Sequence, residues 1–190
     1  MTLQRTRNAT RSGAAVWFER PDETEIVLGD LYGALRHQRR YGGVIDVTVL
    51  RHLALCVRLS RRLEVEDPRV AAYLAAHDLH EAYVIDVPTG LKECLSDYVA
   101  IEERWAERVH RAFGLAYPVP EEIRGEVRRV DKRALVVEMY AAGHPRRDHA
   151  AEDHGGPPDA FETRCGAFAF GMSDPALWSI VVSALRSAPP

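Results

Sequence analysis

The stretch AAHDLHEAYVIDVPTGLK, residues 75–92, decides how this chain is read. The run before and into it, PRVAAYLAA (68–76), has the apolar spacing of a helix face meant for burial. His77 and Asp78 then stand side by side, and Glu81 follows one turn later. Residues four apart share a helix face, so His77 and Glu81 point the same way. Asp78 lies about 100° round the helix, close enough to converge on the same place. An adjacent imidazole and carboxylate can hold a divalent ion between them. A carboxylate one turn on can take a proton from a water beside that ion without binding it. A protease-type zinc helix would need a second histidine after His80-Glu81, where the chain has Val84.

Two ligands do not make a site, so others must come from neighbouring segments. His52 interrupts the apolar run VLRHLALCV. Asp131 sits in RRVDKRALVVEM, and an acid among such neighbours is costly to bury without a partner. Taken singly, His52 reads as a hydrogen-bonded core histidine, and Asp131 as a partner for Arg128 or Arg133. Taken together, His52, His77, Asp78 and Asp131 give a mixed nitrogen and oxygen shell. That shell suits Mn, Co, Fe or Zn better than Ca.

The surroundings fit one domain over residues 1–190. The 46% hydrophobic composition provides for a sizeable core, and a net charge of -3 argues against coating a nucleic-acid polymer. No apolar run approaches a membrane span, and MTLQRTRNATRSG lacks the apolar core of a secretory signal. Cys56, Cys94 and Cys165 are scattered and odd in number, which points to buried thiols and a reducing cytoplasm.

The pattern predicts an all-α bundle. AAVWF and EIVL read as short strands, LYGALRHQ as a short helix and RRYGG as a turn. Asp46 or Thr48 caps a helix over VTVLRHLALCVRLSRRL, whose end RLSRRL (58–63) is expected to be exposed. Asp67-Pro68 opens the helix that carries His77, Asp78 and Glu81, and Val87-Pro88-Thr89-Gly90 breaks it. Further helices are expected from Ser96 to Phe113, stopped by Gly114, and from Pro120 to before Gly143. Residues 144–166 read as a long polar loop before the last helix, which Asp174-Pro175 opens. His144, His149 and His154 are expected to be solvated there. Trp105 and Trp178 are expected in the core or an interface, and Glu102-Glu103-Arg104 with Glu107-Arg108 on a solvated face.

The order His52, His77-Asp78, Asp131 resembles the HD-domain phosphohydrolase superfamily. HDLHEAYVIDVPTGLK resembles its 5′-deoxynucleotidase branch and small phage deoxynucleoside triphosphohydrolases, and RRYGG is similar to that branch's Arg-aromatic-Gly turn. The likeness covers roughly residues 18–140. It implies a single HD-type helical domain, with His52, His77, Asp78 and Asp131 binding a divalent ion (Mn, Co, Mg, Fe or Zn). Glu81 would activate water, and Asp86 would be a second catalytic or substrate-orienting acid. Arg40 and Lys92 would contact phosphate, Tyr41 the sugar, and Thr89 would bind substrate in the same turn. The activity implied is phosphate removal from a 2′-deoxynucleoside 5′-monophosphate. The alternatives are a deoxynucleoside triphosphohydrolase acting on dATP, for example, and a non-catalytic nucleotide-binding domain. A homo-oligomer, dimer or larger, is also implied. Three positions depart from the pattern. Ile85 replaces a glycine, Gly90 replaces a proline, and DVTVLRH replaces a Tyr-Ser-Val type run.

Overall fold

Apolar side chains on every side of residues 49–60 require a helix with neighbours all round, and the chain supplies them. The computed structural model describes residues 7–61 and 67–187, so Arg62 and Leu63 at the end of the expected RLSRRL tail lie outside it. A hairpin comes first, β1 (Arg7–Ala9) antiparallel to β2 (Ala15–Trp17). Helices follow: α1 (Leu28–Leu35), α2 (Val49–Ser60), α3 (Arg69–Ala76), α4 (Glu81–Val84) and α5 (Thr89–Lys92). The rest of the described chain holds α6 (Ser96–Ala112), α7 (Glu121–Ala141), α8 (Arg147–Asp153), α9 (Ala160–Gly171) and α10 (Asp174–Arg186). The described chain is mainly helical, as expected, and no described helix is long and apolar enough to cross a membrane.

α2 is the central element. Thr48, not Asp46, caps it, its hydroxyl accepting from the Arg51 N–H at 3.3 Å. All of its residues are buried except Arg51 and Arg58, and α3, α7, α9 and α10 pack round it. Leu50, Leu53 and Leu55 are almost wholly buried, each contributing about 1.5–3 kcal/mol. Arg51 reaches outward to donate to the carbonyls of Ala169 and Phe170 at 2.9 and 2.8 Å, satisfying the end of α9. Arg58 lies over the ring of Phe168, so the RLSRRL segment is less exposed than expected: Leu59 and Ser60 are buried and Arg61 is exposed.

Several expectations need correction. EIVL forms no strand, and β2 pairs instead with Arg7–Ala9. The helix expected to run through Glu81 stops at Ala76. His77 and Asp78 lie in a turn, and Glu81 opens the short α4. The expected loop at 144–166 contains α8 and the first half of α9. Asp159 caps α9 in a reciprocal box with Glu162, and Arg133 of α7 binds Glu162 at 2.6 and 3.0 Å. A Cβ on Gly166 would come within 2.9 Å of Val137, so α9 packs against α7 where only glycine fits.

Candidate metal centre

Three segments bring the four candidate ligands together. His52 projects from the middle of α2, where its ring is fully buried. His77 and Asp78 come from the turn after α3, and Asp131 comes from α7. The two Nε2 atoms of His52 and His77 are 3.1 Å apart. Asp131 Oδ1 lies 3.2 Å from His52 Nε2 and 3.8 Å from His77 Nε2. Asp78 Oδ2 lies 3.6 and 3.3 Å from the same two nitrogens.

The far side of each ring sets its tautomer. His52 Nδ1 faces a carboxylate oxygen of Glu138 at 2.8 Å, and His77 Nδ1 faces the Leu74 carbonyl at 2.8 Å. Both acceptors call for Nδ1–H, which leaves both Nε2 lone pairs directed at the cluster. Two such lone pairs 3.1 Å apart beside two carboxylates repel unless a positive charge stands among them. Neighbouring ligands on a first-row ion with bonds of about 2.1 Å lie roughly 3.0–3.4 Å apart, close to the separations found. The residues therefore fit a divalent cation.

Cys56, four residues after His52 on α2, joins this group. His52, Cys56, His77 and Asp131 place their ligand atoms within 4.8 Å of one another and could hold a metal ion. The Cys56 sulfur is 3.5 Å from His52 Nε2 and 3.9 Å from Nδ1. These similar distances put it beside the ring, not in line with the Nε2 lone pair, whereas the Asp78 oxygen is near both imidazoles. Burial pushes the Cys56 thiol up, away from thiolate.

A cleft of about 400 Å³ opens onto this floor. Its lining includes Arg40, Tyr41, Asp78, Glu81, Asp86 and Thr89, together with Lys92, Asp131 and Lys132. His144, His149 and His154 do not line it. Burial and the neighbouring Asp78 and Asp86 push the Glu81 carboxyl well up, and its Oε2 has no hydrogen-bond partner among the described residues. Burial likewise raises Asp86. At Asp78 burial acts upward too, but His77, Arg40 and His52 outweigh it and hold the carboxyl at about 2. Two of the three cations lining the cleft are already engaged. Arg40 donates to Asp78 at 2.9 Å, and Lys92 donates to Glu102 at 2.5 Å. The Tyr41 phenol donates to Glu138. Glu102, expected on a solvated face, is instead largely buried and holds the wall residue Lys92, and Tyr98 also donates to it at 3.2 Å.

Ile85 sits in a strained turn. Its backbone has φ 65° and ψ 157°, a region that only glycine occupies readily. The turn is pinned in place: Ile85 N–H donates to the Glu81 carbonyl at 2.8 Å, and Tyr98 donates to the Ile85 carbonyl at 2.7 Å. Gln38, with its amide nitrogen toward the chain, donates to the Glu81 carbonyl at 3.0 Å and accepts from the Asp86 N–H.

The four residues that the sequence groups as candidate ligands lie close together, and its other candidates line the cleft, but Glu138, Cys56, Glu102 and Lys132 beside them were not anticipated. Two had a signal. Glu138 is an acid seven residues, two turns, beyond Asp131 inside ALVVEMYA, and Cys56 is one turn beyond His52. Glu102 had none, because its partner Lys92 lies across a turn on another helix.

No family model matches the chain. It is similar to the uncharacterized protein YfdR of Escherichia coli (strain K12), 30% identical over 109 residues. The match takes in 56% of this chain and spans only 57% of the length of that relative.

Proposed function

We propose that this protein is a divalent-metal-dependent phosphohydrolase of the HD-domain type that converts a 2′-deoxynucleoside 5′-monophosphate to nucleoside and phosphate. One observation carries the reading: two imidazole nitrogens and two carboxylates converge on the floor of a cleft whose wall holds a raised carboxyl, Glu81, with no hydrogen-bond partner for its Oε2 among the described residues. The resemblance of residues 18–140 to the 5′-deoxynucleotidase branch supports it. A divalent ion bound there supplies positive charge at the phosphoryl group and makes water more acidic.

The chain's residues divide the remaining work. His52, His77, Asp78 and Asp131 hold the ion, and Arg40 fixes the Asp78 carboxylate. Glu81 takes the proton of the attacking water at its free oxygen, as the P–O5′ bond breaks. Asp86, held up by burial, returns a proton to the departing 5′-oxygen. Arg40, Lys92 and Lys132 supply positive charge along the wall. Against these three cations stand Asp78 and Asp131, whose carboxyls are held low, and Glu81 and Asp86, whose carboxyls are raised. That balance suits a single phosphate dianion better than a triphosphate, which would need more cations.

A panel of ribo- and deoxynucleotides assayed with Mn²⁺ and Co²⁺ for phosphate, pyrophosphate and triphosphate release tests the proposal. Orthophosphate from monophosphates supports it. Triphosphate release would move the reading to a triphosphohydrolase. Tight nucleotide binding without turnover under any ion would make the chain a binder.

A further inference from the structure

Glu138 is the most deeply buried acid in the described chain, with none of its surface exposed, and the proposed reaction gives it no work. Its Oε1 faces His52 Nδ1 at 2.8 Å, on the side of the ring away from the metal floor. Its other oxygen accepts the Tyr41 hydroxyl, and the Arg40 guanidinium lies 3.7 Å from it. Arg40 in turn grips Asp78 at 2.9 Å. A closed circuit results: Glu138 to His52, across the floor to Asp78, through Arg40, and back to Glu138. A buried carboxylate is costly unless it is paired and hydrogen-bonded on all sides, and every partner of Glu138 belongs to the floor or to the cleft wall.

We infer that Glu138 is the positioning residue of this site, holding the His52 ring so that Nε2 can ligate while it anchors Tyr41 and Arg40 at the mouth. The inference rests on the metal reading proposed above. The hydrogen bond selects the Nδ1–H tautomer of His52 and fixes the ring's rotation, which sets both the direction and the basicity of the ligand nitrogen. The same carboxylate ties the wall to the floor, so Arg40 is oriented by an anion that lies behind the ligands as well as by Asp78.

The experiment titrates purified, chelator-stripped protein with Co²⁺, following visible d–d absorption and Co²⁺ affinity, for wild type, Glu138→Gln, Glu138→Asp and Tyr41→Phe. Circular dichroism melts confirm that each variant is folded. Glu138→Gln is expected to weaken Co²⁺ binding about 10–100-fold and to change the band shape. Glu138→Asp should recover part of the affinity, and Tyr41→Phe should give a smaller loss than Glu138→Gln. Wild-type affinity and spectrum in a folded Glu138→Gln would overturn the inference while leaving the metal site standing. If Glu138→Gln does not fold, an unchanged spectrum and affinity in both Glu138→Asp and Tyr41→Phe would overturn it equally. Wild-type protein that binds no Co²⁺ would instead remove the metal reading itself.

Discussion

The floor of the cleft and its rim are built on opposite principles. The floor hangs on α2, α3 and α7, with His52 fully buried, Asp78 clamped by Arg40, and Glu138 wedged behind. The rim, residues 85–95, is a turn with one-turn α5, where Ile85, Leu91 and Leu95 are exposed and Ile85 is held at positive φ. Packed helices fix atoms to the tolerance a metal shell demands. The rim is held instead by a few hydrogen bonds of its turn. The difference is one of support: burial among helices fixes the floor, while the rim, which carries Asp86 and Lys92, is held by turn and side-chain hydrogen bonds.

The largest effect that would break this contrast comes from the floor. Asp78→Ala removes a proposed ligand and the partner of Arg40, and it is expected to abolish both metal retention and phosphate release. Metal analysis with a turnover assay checks it, and full activity would refute the assignment. Next is Glu81→Ala, expected to retain metal but lose kcat by roughly 10²–10⁴-fold. An unchanged kcat would remove its role as proton acceptor.

Support beneath the floor should show in stability. His110, buried on α6 between Tyr73 and Tyr117, is pushed down to about 4 by burial, although it donates to the Ala106 carbonyl at 2.7 Å. The unfolded chain therefore takes up this proton first as the solution is acidified. The stability tied to neutral His110 is complete above pH 6.5 and is lost as the pH falls toward 4. The loss amounts to about 3 kcal/mol at most. Urea unfolding of wild type and His110→Phe from pH 7 to 4 should show a shallower decline in the variant, and parallel curves would count against it.

The smallest effect belongs to the rim. Ile85→Gly relieves strain of about 1–3 kcal/mol but adds freedom to the unfolded chain of about 0.5–1 kcal/mol. A net gain of about 1 kcal/mol in thermal or urea stability is expected, with metal affinity unaltered. A destabilised variant would mean that the exposed isoleucine side chain contributes more than its backbone costs.

Much of this molecule could be read from residue spacing. Thr48 before an all-apolar run, Asp67-Pro68, Gly114 and Asp174-Pro175 are local signals, and the helices they bound are where those signals put them. Residues 144–166 were misread because Gly155-Gly156-Pro157-Pro158 dominates that stretch, although Asp159 and Glu162 carry a capping pair. The break after Ala76 was hidden because a helix and a tight αR turn share the same periodicity over a few residues.

The sequence by itself determined the helical character, the central buried helix and the identity of the candidate ligands, because propensity, capping and hydrophobic period act over a few neighbouring residues. Only the tertiary structure decided that Asp78 and Asp131 each lie within 3.8 Å of both His52 and His77, that Glu138 backs His52, and that Lys92 is held by Glu102. These contacts join residues 10 to 86 positions apart in the chain, and their distances depend on how whole helices pack, which no local pattern encodes.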